Sequence, residues 1–430
     1  MTQTTSRSPL AISSRVAALK PSVTVAFMNR AKALKAEGKD VLSFAAGEPD
    51  FDTPDNIKEA AITALRAGQT KYMPTLGDPA TRAAIAKKLN EENGVPATPE
   101  HVAISSGGKH SLFVACHCVL DDPRLRAEKG LPPQEVLLPV PTWVSYAPIA
   151  ELAGGKVVEI ETGPEGGFKI TPEQLRAAIT PRSRLLIINS PSNPCGTMYS
   201  PDELRALGRV VAEAAATKAP DLLVLSDEIY EKIVYGGVEH FSLGSMPEIA
   251  ERVITLNGLS KAYSMTGWRI GYTGSAGKFG LEFTKAMATL QGQMSTNITS
   301  FVYPAIRTAL AQGGESVERM RQAFAARARV IDQRLATIPG VRNVRATGAF
   351  YAFPEVSDHF GTISPAGKPI NSAMDLCEAL LSEALVAFVP GEDFGGCGRN
   401  HVRISFACSE DQINKGMDRF ADFLAKLRKA

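Results

Sequence analysis

Between about residue 100 and residue 275, short unbroken apolar runs alternate with longer stretches of helical character. The runs include Glu135 to Leu138, Leu185 to Ile188, Leu222 to Leu225 and Val253 to Leu256. Each is continuous rather than alternating, the pattern of a strand buried on both faces. Strands separated by helices in this way predict an α/β fold whose central sheet is mainly parallel and flanked by helices. Ser200-Pro201-Asp202-Glu203-Leu204 predicts a helix start: serine caps, proline fits the first turn, and the acids suit the positive end of the helix dipole. After about residue 310 the texture changes. A helical stretch from Val317 to Ile338 precedes a strand-like Ala349-Phe350-Tyr351-Ala352-Phe353 and a glycine-rich segment from Gly391 to Gly398. His401 to Phe406 then alternates like a strand and leads into a final helix. No internal repeat or low-complexity tract interrupts the chain.

Composition narrows the classes. A chain of 430 residues suggests about two to three domains. Hydrophobic content of 44% and charged content of 21% lie in the ordinary globular range, so a large core can be buried. A net charge of +2 argues against a nucleic-acid or acidic-membrane surface. No apolar run approaches the ~20 residues that span a bilayer. Six cysteines are too sparse for a disulfide scaffold at this length, which points to a reduced, cytoplasmic protein. Cys116 and Cys118 sit two apart on a helical stretch and so face different ways, which argues against a metal site there. The first acidic residue is Glu37, and Arg7, Arg15, Lys20 and Arg30 precede it among serines and threonines, a composition shared with transit peptides.

The polar residues that follow the apolar runs carry the chemistry. Trp143 follows the first run, Asn193 the second, Asp227 and Tyr230 the third, and Lys261 the fourth. All five fall just past the carboxyl ends of strands, where open α/β sheets place ligands, so they converge on one site. A buried lysine such as Lys261 becomes nucleophilic as its pKa falls. A carboxylate emerging from a buried strand, as at Asp227, needs a cationic partner. Ser105-Ser106-Gly107-Gly108-Lys109 opens an apolar helical stretch, so its glycines can bring backbone amides close to an anion. Singly, each has a plain alternative: a surface lysine, a turn asparagine before proline, a core tyrosine or tryptophan.

Together they have a recognisable order. Asn193-Pro194-Cys195-Gly196, Asp227-Glu228-Ile229-Tyr230, and Lys261 with Arg269 in the run Asn257 to Gly271 resemble the class I aminotransferases of fold type I. The resemblance covers nearly the whole chain, with Arg15-Val16 through Lys20-Pro21-Ser22 similar to the family's own start, which argues against reading the basic segment as a transit peptide. It implies an α/β large domain over residues 56–310 and a smaller α+β domain made of residues 1–55 and 311–430. It implies pyridoxal 5'-phosphate (PLP) as cofactor and a homodimer with shared sites.

The resemblance also implies roles. Lys261 would take the cofactor aldehyde and later shuttle the substrate α-proton, and Asp227 would pair with the pyridinium nitrogen. Tyr230 and Asn193 would bond the phenolic oxygen, and Trp143 would stack on the ring. Gly107, Gly108, Lys109 and Arg269 would surround the phosphate, with Tyr72 reaching the phosphate of the neighbouring subunit. Arg403 would clamp the substrate α-carboxylate, with Gly47 passing close to the same group. Lys109 and Lys20 match two basic positions of a bacterial aspartate/prephenate branch. Two ammonium groups would favour dicarboxylic substrates, because an unpaired charge beside an apolar side chain costs about 1–3 kcal/mol. Three positions depart from common family choices: Gly258 where a serine is frequent, Met73 after Tyr72, and His110 after Lys109.

The expected activity is therefore transfer of an amino group between aspartate or glutamate and a 2-oxo acid, with prephenate as a further acceptor. Rival readings are an aromatic or kynurenine aminotransferase, a PLP lyase, and a non-catalytic PLP-fold regulator. No basic helix-turn-helix supports the last. No Gly-x-Gly-x-x-Gly follows a strand to support a nicotinamide dehydrogenase.

Overall fold

The computed structural model describes residues 12–429 apart from Lys20 and Ser22. Its largest sheet has seven strands: β1 (Val102–Ser105), β2 (Glu135–Val140), β3 (Lys156–Glu161), β4 (Ser183–Asn189), β5 (Leu223–Asp227), β6 (Val253–Gly258) and β7 (Gly271–Gly274). They lie in the order β1-β7-β6-β5-β4-β2-β3. Strands β3, β2, β4, β5 and β6 run parallel, while β7 pairs antiparallel with both β6 and β1. The sheet is thus mainly parallel, as the apolar runs predict, and those four runs lie on β2, β4, β5 and β6. Of the other three strands, β1 carries only the short apolar run Val102-Ala103-Ile104, and the remaining two break the rule. Gly-Tyr-Thr-Gly of β7 has almost no apolar content, and β3 is an edge strand with exposed Lys156 and Glu161.

Alternation along each strand divides the core. Val136, Leu138, Leu185, Ile187, Leu223 and Leu225 pack with Leu112, Ala115 and Cys116 of α1 (Gly108–Val119). Their neighbours Leu137, Leu186, Ile188 and Val224 pack on the opposite face with Leu204, Leu207 and Val211 of α2 (Pro201–Thr217). The period of two sends successive side chains to opposite faces, and both faces are covered. Each fully buried aliphatic side chain contributes about 1.5–3 kcal/mol relative to exposure. Helix α2 begins as expected: Glu203 N–H donates to Ser200 Oγ (3.2 Å) and Ser200 N–H to Glu203 Oε2 (2.7 Å), with Pro201 in the first turn.

A third body of apolar residues forms away from this sheet. Phe27, Phe44, Phe324, Ile331, Phe388 and Phe420 belong to one buried cluster, into which Tyr230, Ile233 and Tyr235 reach. The long helix there is α3 (Gly314–Ala336), slightly N-terminal to its sequence-derived span, and the last long one is α4 (Glu410–Ala425). The expected strand over residues 349–353 shrinks to β8 (Tyr351–Ala352). Ala349 adopts φ of +55°, outside the extended region, and Pro354 removes a donor at the other end. Strand β10 (Val402–Ser405) pairs antiparallel with β8 on one side and β9 (Val389–Pro390) on the other. All six cysteines are free thiols. No described helix is long and apolar enough to cross a membrane.

Replacing Ser200 with Ala should remove one arm of the capping box and destabilise the protein by about 1 kcal/mol. Urea unfolding would register this as a lower midpoint at unchanged slope.

Candidate active site

Beyond the carboxyl ends of β2, β4, β5 and β6 opens a cavity of about 500 Å³. The sheet side contributes Trp143, Asn193, Asp227, Tyr230 and Lys261. Residues from outside the sheet close it: Thr24, Gly47 and Glu48 from the N-terminal part, Tyr351 and Arg403 from the C-terminal part. Gly108, Lys109 and Arg269 complete one end. Sequence reasoning placed most of these residues together, and the fold does so.

Lys261 stands in the turn after β6. Its Nζ donates to the Gly47 carbonyl and lies 5.8 Å from the Phe350 ring centroid. The residue is half-buried and lines the cavity. Burial pushes its pKa down to about 8; Glu48 and Asp227 act against the fall, Arg403 and Arg269 with it. Roughly a tenth of the amine is therefore neutral and nucleophilic at pH 7, far more than for an ordinary lysine. Asp227, the last residue of β5, is pushed up to about 6 by burial. Two donors oppose that rise: Tyr146 Oη at 2.7 Å from Oδ2, and the Ile229 N–H at 3.2 Å from Oδ1. The Tyr230 hydroxyl lies 2.9 Å from that of Tyr351, and burial lifts its pKa well above the ordinary phenol value.

Arg403 projects from β10 into this enclosure and is 3% exposed. Nη1 donates to Asn193 Oδ1 (3.1 Å) and Nη2 to the Ala45 carbonyl (2.7 Å), while Nε is buried with no partner. No ion pair to Arg403 occurs among the described residues. A buried guanidinium without a carboxylate is a receptor for one. Because the Asn193 oxygen accepts from Arg403, its amide NH2 is left to donate elsewhere.

At the far end, Gly107 caps helix α1 at φ of +91° and brings the first amides of the helix into the open. A Cβ at Gly107 would collide with the Arg269 guanidinium, so only glycine lets cation and helix N-terminus share this space. Arg269 itself holds φ of +56° and is steadied by Nη1 donating to Thr266 O at 2.8 Å. Paired amides and a guanidinium at a helix N-terminus make a cradle for an anionic group. Gly258, where the family often has serine, has a steric reason. A Cβ there would stand 2.7 Å from the Ile270 carbonyl oxygen of the adjoining antiparallel segment. Lys109 Nζ sits 4.9 Å from the Trp143 ring centroid, its pKa lowered by burial and by Arg269.

Tyr72 is 88% exposed and does not line the cavity of its own chain. Lys20 lies outside the described residues. Conversely, Tyr146, Tyr351, Glu48 and Thr24 line the cavity without having been singled out. Tyr146 follows Trp143 by three positions, so the strand-end rule applied to β2 would have reached it. Tyr351 was the one polar group in an otherwise apolar run.

Beneath the turn that carries Asp227 and Tyr230 lies a dense buried network. Glu231 accepts from Lys88 and from Asn93 (2.7 Å); Glu228 accepts from Ser242, Ser226 (2.9 Å) and Asn93 (3.2 Å), with His240 Nε2 at 3.1 Å. The carboxylates Glu228 and Glu231 with His240 have the spacing of a metal site, but the Lys88 ammonium already supplies a cation there. The network reads as a foundation for the turn.

A family model for aminotransferases of class I and II matches residues 39–420. The chain belongs to the class I and II aminotransferases. This aminotransferase is 42% identical to an aspartate aminotransferase of Geobacillus stearothermophilus over 96% of its own length and 98% of that protein. It is 41% identical to an aspartate/prephenate aminotransferase of Nitrosomonas europaea, over 96% and 100%. The structure of an aspartate aminotransferase from Thermus thermophilus with maleate matches with a TM-score of 0.85 at 40% identity, covering 96% of this aminotransferase and all of that chain.

Because burial lowers the pKa of Lys261, the unfolded chain binds the proton more tightly than the folded one. The charged amine therefore costs stability below about pH 8, and that cost fades as pH rises towards the ordinary lysine value of 10.5. Lys261→Met should raise the urea midpoint of the cofactor-free aminotransferase at pH 7, with the gain shrinking by pH 10. Equal midpoints at pH 7 would refute the burial cost.

Proposed function

We propose that this aminotransferase uses PLP to move the amino group of an acidic L-amino acid, aspartate or glutamate, to a 2-oxo acid. The observation that carries the reading is the enclosure of a partly neutral lysine amine with Asp227, Tyr230, Asn193 and an unpaired buried Arg403 in one cavity. The donor set fits PLP: a cradle in which a Cβ would collide with Arg269, a carboxylate and two phenolic or amide donors, and a nucleophilic amine. Bound there, PLP supplies an aldehyde and a pyridinium ring that withdraws electrons from the substrate α-carbon.

The chain's own residues do the rest. The amides at Gly107 and Gly108 and the Arg269 guanidinium would hold the phosphate. Asp227, kept as a carboxylate by Tyr146 and the Ile229 amide, would bind the ring nitrogen and hold its proton. Tyr230 and the Asn193 amide would donate to the phenolic oxygen, and Trp143 would cover the ring. Arg403 would take the α-carboxylate of the substrate in two parallel bonds and fix its α-carbon, with Gly47 leaving room. The Lys261 amine, once free, would accept the α-proton and return it elsewhere on the same face. In the first half-reaction the donor leaves as its 2-oxo acid; in the second an acceptor takes up the amino group and the steps reverse.

The acidic substrate class rests on Lys109 and Lys20, with prephenate as a further acceptor. Lys109 lines the cavity near Trp143, and relatives at about 40% identity bear aspartate and aspartate/prephenate names. The exposed Tyr72 is consistent with a homodimer in which it completes the partner's phosphate site. We further assign residues 56–310 to a large domain, with 1–55 and 311–430 as a small one, supported by the separate apolar cluster of the two chain ends. Six free thiols support a cytoplasmic location.

Lys261→Ala should abolish transamination while PLP still binds noncovalently, and a variant with normal turnover would overturn the assignment. Adding L-aspartate without an acceptor should convert the PLP absorbance band to that of pyridoxamine phosphate. A PLP band that aspartate leaves unchanged would favour an aromatic aminotransferase or a lyase. Lys109→Met should lower kcat/KM for aspartate about 5- to 150-fold and leave that for alanine nearly unchanged. Equal losses for both substrates would remove Lys109 from the side-chain pocket.

A further inference from the structure

Tyr351 lies on β8, is fully buried, and lines the active-site cavity. Its hydroxyl and that of Tyr230 are 2.9 Å apart, and among the described residues neither has another hydrogen-bond partner. Each phenol carries one proton, so their mutual bond uses one and leaves the other free. Which tyrosine keeps the free proton decides what the pair can do.

The surroundings set the direction. The Arg403 guanidinium stands 4.9 Å from the Tyr351 ring centroid, which favours the ionised form of that phenol. Arg403 acts on Tyr230 in the same sense, but there Tyr351 and Asp227 oppose it, and Asp227 has no counterpart beside Tyr351. The more acidic hydroxyl is the better donor and the less acidic one the better acceptor. Position is fixed as firmly as charge. Tyr351 pairs with Ser405 across the ladder that also carries Arg403, and its ring meets that of Tyr230 edge-on at 5.8 Å. A Cβ at Gly47 would lie 2.8 Å from the Tyr351 oxygen, so the glycine makes room for that hydroxyl.

We propose that Tyr351 is a positioning residue that acts through Tyr230: it donates to the Tyr230 oxygen, which leaves the Tyr230 proton directed at the ligand. Donation into a hydroxyl strengthens that hydroxyl as a donor. Tyr351 thus raises the power of Tyr230 to stabilise negative charge on the phenolic oxygen of PLP. The inference rests on the PLP reading above.

The test uses PLP-loaded wild type, Tyr351→Phe, Tyr230→Phe and the double variant. The pH midpoint of the visible absorbance change is read for each, with kcat and KM for L-aspartate. Weaker donation leaves the oxyanion less stabilised, so Tyr351→Phe should raise the midpoint by about 0.2–0.7 unit. The same change in the Tyr230→Phe background should produce no further shift. The kcat should fall with KM nearly constant. Gly47→Ala, which crowds the Tyr351 hydroxyl without removing it, should move the midpoint the same way. An unmoved midpoint, an equal shift with and without Tyr230, or a raised KM at constant kcat would overturn the proposal; the last would make Tyr351 a carboxylate-binding group. A wild type that shows no PLP band would instead defeat the cofactor reading, whereas a titrating wild type beside an unmoved Tyr351→Phe would defeat only this inference.

Discussion

The architecture turns on one unfavourable act: a lysine amine and an arginine guanidinium are buried around the same small cavity. Taking two cations out of water beside each other is expensive, and the Arg403 guanidinium has no described carboxylate to offset it. The surrounding chain bears this cost in a specific way. The Gly47 and Ala45 carbonyls and the Asn193 oxygen meet the donors, and Glu48, ahead of Asp227, supplies negative charge towards Lys261. What remains unsatisfied, the Arg403 Nε above all, is what a substrate carboxylate would satisfy.

The same logic applies at the centre of the sheet, where the parallel strands are apolar on both faces. Asp227 sits at the end of a strand buried on both faces, so its carboxylate cannot retreat to water. Even with Tyr146 and the Ile229 amide donating to it, burial holds its pKa up at about 6, so it is a carboxylate at neutral pH and takes a proton in mild acid. Below it, the Lys88, Glu231, His240 and Glu228 network occupies the space that water would otherwise enter. A rigid, dry base lets two donors decide the charge of one group.

Much of this was legible in the sequence, for a physical reason. Strands buried on both faces appear as unbroken apolar runs, and a polar residue just beyond such a run has to be explained by something other than core packing. Trp143, Asn193, Asp227, Tyr230 and Lys261 all carry that mark. Arg269 and Arg403 needed the family resemblance, since neither follows an apolar run of the main sheet. Strands β1, β3 and β7 were not separated out: β1 has only three apolar residues in a row, β3 is a partly exposed edge, and β7 is half glycine. Tyr146 and Tyr351 were passed over for a different reason. A tyrosine in apolar company looks like core, and only its hydroxyl partner, Asp227 in one case and Tyr230 in the other, reveals another role. The left-handed Ala349 that shortens β8 gave no signal at all, since alanine is no marker of positive φ.

The cavity draws on residues as far apart in sequence as Thr24 and Arg403. During synthesis the chain emerges from its amino end, so the sheet and Lys261 exist well before the guanidinium that faces them. For that interval the reactive amine has its strand-end neighbours but no Arg403 and no Tyr351. The cavity therefore lacks part of its lining until residue 403 has been made.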